Sequence, residues 1–269
     1  VTAASHPFDD AIAAQAAEPG RLRGRTLPAW ANMVGPFGGI TAAALLHAVQ
    51  LQPERAGDPL ALTVNFAAPI AEGDYAITAR VARTNRTNQH WLLELDQDGE
   101  VKTTASAVFG VHRDTWADTE AVPPAAAPPE RIAATGLPDG IEWARRYDMR
   151  FVAGPVPLGG RAEADSTTTL WVRDAAGRPL DFAALAAVCD VFYPRVFLRR
   201  GTFLPAGTIS LTTYFHTDAA ELDAVGGDFV LASARAHRFN RGYFDQSAHV
   251  WSRSGRLLAS THQLVYFKG

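Results

Sequence analysis

An aspartate set among small apolar residues is the first group in this chain that could do chemistry. Asp190 stands near the end of the stretch from Asp181 to Phe192. Phe182, Leu185, Cys189 and Phe192 recur at three- and four-residue steps, the spacing of one apolar helix stripe. Ala183, Ala186, Ala187 and Asp190 make a second stripe of small side chains beside it. Small side chains admit close packing by another element, so this face should be buried. A buried carboxylate is costly without hydrogen-bond partners. Held beside such partners it can take a proton or orient a water. Asp181 suits the N-cap, where its carboxylate accepts from free amides at the positive helix end. Pro194 ends the segment. The spacing predicts a helix over 181–192.

Other chemistries find less support. His47 lies on an expected helix, and His216, His237, His249 and His262 are scattered over expected strands. None forms a His-x-His or His-x-x-x-His pair, so no metal is expected. There is no Gly-x-Ser-x-Gly elbow of the Ser-His-Asp hydrolases. Gly35-Pro-Phe-Gly-Gly39 has the wrong spacing for a phosphate loop. The single cysteine, Cys189, permits no disulfide framework within the chain and reads as a small core residue.

The elements around Asp190 follow from periodicity and turn signals. Pro7–Ala17 reads as a short amphipathic helix and Arg21–Leu27 as a strand. Gly38-Gly39 opens a strong helix pattern through Leu51. Strands follow at Leu60–Phe66, Tyr75–Thr84, Trp91–Asp96 and Val101–Gly110, the last two flanking an Asp98-Gly99 hairpin turn. Residues 113–139 change character: Val122-Pro-Pro-Ala-Ala-Ala-Pro-Pro-Glu130 supports neither helix nor sheet and reads as an extended linker. Beyond it come strands at Met149–Val152 and Ser166–Arg173, the 181–192 helix, then strands at Thr208–Phe215, Phe229–His237, Ser247–Trp251 and Leu257–Phe267. The chain thus divides into 1–112, a 113–139 linker and 140–269.

The two halves read as copies. Leu60–Phe66 reappears as Ile209–Phe215, 149 positions on; Asn85-Arg86 as Asn240-Arg241, 155 on; and the turn glycine Gly99 as Gly255, 156 on. A slowly rising offset is what loop insertions produce. Each half is a helix with about four antiparallel strands, an α+β arrangement in which the sheet wraps an apolar helix. Two such units could pair edge to edge, removing one free edge each.

Composition sets the bounds. At 269 residues the chain is long enough for two modest domains. Its net charge of −3 lacks the basic balance of a nucleic-acid binder. No apolar run of about 18 residues or more suggests a membrane span, and no basic-then-apolar leader is seen. A cytoplasmic location is expected.

The ordered set of Gly38-Gly39 at the first helix, Trp171-Val172-Arg173 before the second, Thr208 to His216, and Gly255 to Gln263 resembles the acyl-CoA thioesterase II (TesB-like) family. The resemblance covers nearly the whole chain outside the linker. It implies a double hotdog: two tandem hotdog repeats, each with a long helix wrapped by a curled antiparallel β-sheet. It also implies a catalytic trio, falling here on Asp190, Thr208 and Gln263, all in the second half. At the repeat offsets, Thr208 corresponds to Pro59 and Gln263 to Ala107, so only one copy keeps the polar groups. Val191-Phe192-Tyr193 departs from the family, where Asn and smaller residues are common, and leaves chain-length preference open.

The activity this implies is hydrolysis of acyl-CoA to free acid and CoA, a role in lipid metabolism. Asp190 accepts the proton or orients the water, and Thr208 and Gln263 hold it in line. The free amides at Gly38 and Gly39 are expected to receive the oxyanion, since a helix N-terminus presents unpaired N–H groups and partial positive charge. Arg86, Arg238 and Arg241 are candidates for the CoA phosphates; Arg83, Arg235, Arg195, Arg199 and Arg200 lie nearby in sequence. No cofactor is expected, because the CoA thioester is itself the substrate. Two other readings stay open: a non-catalytic acyl-CoA binding protein on the same fold, and a hotdog enoyl-CoA hydratase. The hydratase chemistry wants a His soon after the Asp, and none occurs before His216. Assembly as a homo-oligomer also stays open.

Overall fold

The computed structural model of the protein describes residues 5–135 and 140–269. Positions 1–4 of the first half and 136–139 of the expected linker lie outside the described residues. The first half carries α1 (Pro7–Ile12), β1 (Gln15–Glu18), β2 (Arg21–Arg25), α2 (Gly38–Gln50), β3 (Asp58–Phe66), β4 (Asp74–Thr84), β5 (Asn88–Gln97) and β6 (Glu100–Gly110). The second carries β7 (Tyr147–Ala153), β8 (Thr168–Asp174), α3 (Phe182–Val188), α4 (Arg195–Arg200), β9 (Ala206–Phe215), α5 (Ala219–Val225), β10 (Val230–Arg235), β11 (Phe239–Asn240), β12 (Tyr243–Trp251) and β13 (Leu257–Phe267).

The strands form one antiparallel sheet in the order β1-β2-β4-β5-β6-β3-β9-β13-β12-β10-β8-β7, with β11 beside β12. The halves meet where β3 pairs β9. There Thr63 faces Thr212, the residue 149 positions on, and their hydroxyl oxygens lie 3.0 Å apart. Equivalent residues of two copies face each other only on a two-fold axis, so an approximate two-fold passes between this pair. Edge pairing satisfies the backbone groups that each half alone would leave open.

Alternation along the strands sends one set of side chains inward. On β12 these are Phe244, Gln246, Ala248 and Val250, all buried; on β13 they include Thr261, Gln263 and Val265. The inner face covers α2 and α3, whose buried Ala42, Ala43, Ala44 and Ala183, Ala186, Ala187 let the helices pack tightly. A β-carbon on Gly39 would come within 2.6 Å of the Ala187 carbonyl oxygen. No side chain fits between the two backbones there.

Several expectations change. The helix predicted over 181–192 stops at Val188, with Asp181 capping its start by accepting from the Ala184 amide at 2.8 Å. Its end tightens: the Asp190 amide donates to Ala187 O at 3.1 Å and that of Val191 to Val188 O at 3.2 Å, an i to i+3 pattern. Pro194 then forbids a return to helical geometry at Tyr193. So α2 spans 13 residues but α3 only 7, and the second half lacks a long helix. The Pro7–Ala17 helix is likewise cut at Ile12, the chain then turning into β1.

The linker from 113 onward is extended but fastened. Ala126 and Ile132 pack on the outer-face cluster of Trp171, Phe229, Leu231 and Trp251, and the Trp171 indole donates to Ala127 O at 2.9 Å. Arg253 pairs with Glu130 at 2.7 Å.

Candidate active site

Three side chains far apart in the chain meet beside the start of α2. Thr208 Oγ1 donates to Gln263 Oε1 at 3.2 Å, and Gln263 Nε2 donates to Asp190 Oδ1 at 2.9 Å. The bonds run one way, hydroxyl to amide to carboxylate, so Gln263 is held at both ends. Gln263 is buried, whereas Asp190 and Thr208 keep partial solvent access.

Each residue owes its direction to a local irregularity. Because α3 stops short, Asp190 lies in the turn beyond its C-cap, Cys189, and leaves the helix surface. Thr208 depends on a β-bulge. On β9 Leu211 and Thr213 point inward, so strict alternation would turn Thr208 outward. In the pairing with β13, Ser210 faces Leu264 but Thr208 faces Val265, and Ile209 is the extra residue. The bulge returns Thr208 to the inner face, a common way of re-aiming a side chain at a site. The first half repeats it: Pro59 faces Phe109, Ala61 faces Val108, and Leu60 is the extra residue.

Asp190 sits among protein atoms with only partial access to solvent. Burial is the largest influence on its carboxyl and lifts it from 3.8 to about 7. The Gln263 donor and the Gly39 backbone N–H, both favouring the charged form, offset this in part. A group poised near neutrality suits general-base work at physiological pH. Cys189 beside it is pushed up to about 12 by burial, which leaves the thiol protonated and inert.

The start of α2 closes on Asp190. The Gly39 backbone N–H lies close enough to Asp190 to favour its charged form. A β-carbon at Gly38 would lie 2.6 Å from Asp190 Oδ2 and 3.3 Å from the Phe66 ring. The two glycines let the positive helix end approach the carboxylate.

The three candidate phosphate arginines do not converge. The turn bearing Arg86 leads into Asn88, which faces Gly110, which in turn faces Asp58 at the start of β3. The trio lies beyond the other end of β3, where Asn65 faces Ser210. The length of β3 puts about 25 Å between these ends. Arg238 and Arg241 flank β11, next to the start of β12 and so at the trio's end, since Phe244 faces Val265 and Val265 faces Thr208. One phosphate group cannot touch Arg86 and this pair together.

Sequence reasoning missed what anchors the segment after Asp190. Arg195 is fully buried, its guanidinium 4.3 Å from the Tyr193 ring centre. It donates to Tyr193 O at 3.0 Å and to Ser166 O at 3.3 Å. The Tyr193 hydroxyl donates to Gly154 O at 2.8 Å. Burial without a carboxylate partner lowers the Arg195 pKa to about 10. An apolar cavity lies under the first turn of α2, lined by Trp30, Ile40, Thr41, Ile70, Tyr75 and Leu95 among others; none of the trio lines it.

A curled antiparallel sheet around a helix is the hotdog architecture, and solved structures share it. A conserved protein of unknown function with hotdog fold from Alicyclobacillus acidocaldarius is 46% identical, with a TM-score of 0.95 and 99% of each chain covered. The tesB protein of Mycobacterium avium subsp. paratuberculosis shares the fold at 17% identity, with a TM-score of 0.80 and 97% of this chain and 98% of that chain covered. Acyl-CoA thioesterase II TesB2 of Mycobacterium marinum does so at 18%, with a TM-score of 0.76 and the same coverages. No curated protein matches the chain. The family models for the acyl-CoA thioesterase N-terminal and C-terminal domains match residues 27–110 and 119–267. The chain therefore belongs to the acyl-CoA thioesterase family.

Proposed function

We propose that this protein hydrolyses acyl-CoA thioesters to a free carboxylic acid and CoA, using a water positioned by Asp190, Thr208 and Gln263 in a double hotdog whose second repeat carries the chemistry. The observation that carries this reading is the one-way chain of hydrogen bonds from Thr208 through Gln263 to Asp190. A hydroxyl, an amide and a carboxylate so arranged can hold one water by donor and acceptor contacts together. Asp190, with a carboxyl near pH 7, takes the proton as the water attacks. The missing counterpart in the first half, where Pro59 and Ala107 replace Thr208 and Gln263, fits a scaffold role for that copy. The division into 1–112, linker and 140–269, a cytosolic setting and independence from any cofactor belong to the same reading. Among the described residues no helix is long and apolar enough to cross a membrane.

The test is release of free thiol from a panel of acyl-CoAs, wild type against Asp190→Asn. Loss of turnover in a variant that still melts cooperatively supports the reading. Turnover near that of wild type would sink the assignment of the base.

A further inference from the structure

Thr208, Gln263 and Asp190 account for the water but supply no donor for the oxyanion. The two glycine amides expected to serve stand at the end of α2 that closes on the Asp190 carboxylate, where the Gly39 N–H favours the charged form. Gln263 gives one N–H to Asp190 and accepts from Thr208, and in the proposed reaction its remaining N–H holds the attacking water. An acyl transfer without a donor at the carbonyl oxygen would forgo what is commonly the largest catalytic contribution.

Beside Gln263 stands another glutamine. Gln246 on β12 is the direct cross-strand partner of Gln263, and both are on the inner face. Directly opposed residues on one face have β-carbons about 5 Å apart. Gln246 is only 2% exposed, yet no hydrogen bond joins its carboxamide to any described residue. Buried amides are ordinarily paired. Other buried glutamines here obey that rule: Gln89 accepts from Trp91 Nε1 at 2.9 Å and donates to Thr84 at 3.0 Å, and Gln97 accepts from the Ala71 amide at 2.8 Å and donates to Ala71 O at 3.0 Å.

The repeat sharpens the contrast. In the first half the corresponding pair is Trp91 facing Ala107, both buried. The half without chemistry fills these two positions with apolar groups. The half with the trio places two amides there, one bonded at both ends and one unengaged.

The geometry points to Gln246 as the oxyanion donor of the site, its Nε2–H aimed at the thioester carbonyl oxygen. This rests on the thioesterase reading. The water oxygen bonds to the carbonyl carbon, its proton passes to Asp190, and the carbonyl electron pair moves onto oxygen, where Gln246 donates to it. When the carbonyl re-forms, the C–S bond breaks and the leaving CoA thiolate takes the proton from Asp190. Acid and free CoA result, and Asp190 returns to its starting charge.

The experiment measures octanoyl-CoA hydrolysis by wild type, Gln246→Met and Asp190→Asn across pH, with a melting curve for each. Methionine matches glutamine in length and has no donor. Gln246→Met should lower kcat about 100- to 1,000-fold, leave KM within about threefold and keep the pH midpoint of wild type. Gln246→Ser, smaller and polar, serves in its place should the methionine variant not fold. A folded variant with kcat near wild type overturns the assignment and leaves the thioesterase reading intact. A change in KM alone, or a moved pH midpoint, also overturns it, since Gln246 would then be binding substrate remotely or acting through Asp190. A wild type inactive on octanoyl-CoA and on the wider panel overturns both.

Discussion

Gln263 Nε2 stands 2.9 Å from Asp190 Oδ1, across 73 residues of chain. That bond favours the carboxylate form, but burial outweighs it. The balance holds the carboxyl at about 7, and the consequences can be measured.

Asp190→Asn should stabilise the fold while it removes activity. The folded-state carboxyl, at about 7, is raised above its unfolded value near 4. A raised carboxyl makes the folded state bind the extra proton between these values, so stability falls as pH climbs from about 4 to 7 and stays lowered above that. Removing the charge should recover roughly 2–4 kcal/mol at pH 8 and almost nothing at pH 4. Thermal melts of both proteins at the two pH values check this.

Hydrolysis should rise with pH through a single limb centred near 7, as Asp190 loses its proton. Gln263→Glu sets a second carboxylate against the first. Two adjacent carboxylates resist ionising together, so this variant should be slower at pH 7 and its limb should move to higher pH. A pH profile of kcat/KM reads both effects.

Gly38→Ala tests the approach of α2 to the carboxylate. The added methyl would lie 2.6 Å from Asp190 Oδ2, so the carboxylate must shift. Displacement of a reacting group by about 1 Å can cost on the order of 100-fold. The expected result is a fall in kcat of about 10- to 100-fold with little change in the melting temperature.

The arginines divide by position. Arg238→Ala and Arg241→Ala, at the trio's end of the sheet, should raise KM for acyl-CoA and weaken its dependence on salt, because a phosphate contact is screened by ions. Arg86→Ala should change neither. Steady-state kinetics at low and high salt separate the two groups; a larger effect at Arg86 would reverse the assignment.

The Thr63 and Thr212 hydroxyls, 3.0 Å apart, should couple by about 0.5–1.5 kcal/mol, the usual net worth of such a bond. A double-mutant cycle with valine at each position, read by urea denaturation, gives that number. Turnover should be unaffected.

Much of this was visible in the letters. The 149-residue offset that aligned Leu60–Phe66 with Ile209–Phe215 is the spacing of the pair on the two-fold. Asp98-Gly99, both with positive φ at 53° and 80°, forms the hairpin expected of that dipeptide. What stayed hidden depends on tertiary contacts. The apolar stripe of 181–192 continues past Val188, so periodicity alone ran the helix through Asp190; Pro194 and the tightened last turn ended it sooner. The bulge at Ile209 leaves no mark in composition, and without it Thr208 would point away from Gln263. Gly38-Gly39 was expected to receive the oxyanion, and the sequence could not say that the protein's own carboxylate would lie against this helix start. Gln246 looks like any polar residue of an alternating strand until its cross-strand partner is known.

The seam between β3 and β9 does the work of a subunit interface, which makes the molecule a homodimer-like assembly tied into one polypeptide. Severed at the linker, each part would bare the strand it had shared, and its natural mate would be another copy of itself, with Thr63 or Thr212 again on the axis. Fusion removes that degeneracy: the two partners are free to diverge, as Pro59 and Ala107 do at the positions that Thr208 and Gln263 hold in the other half.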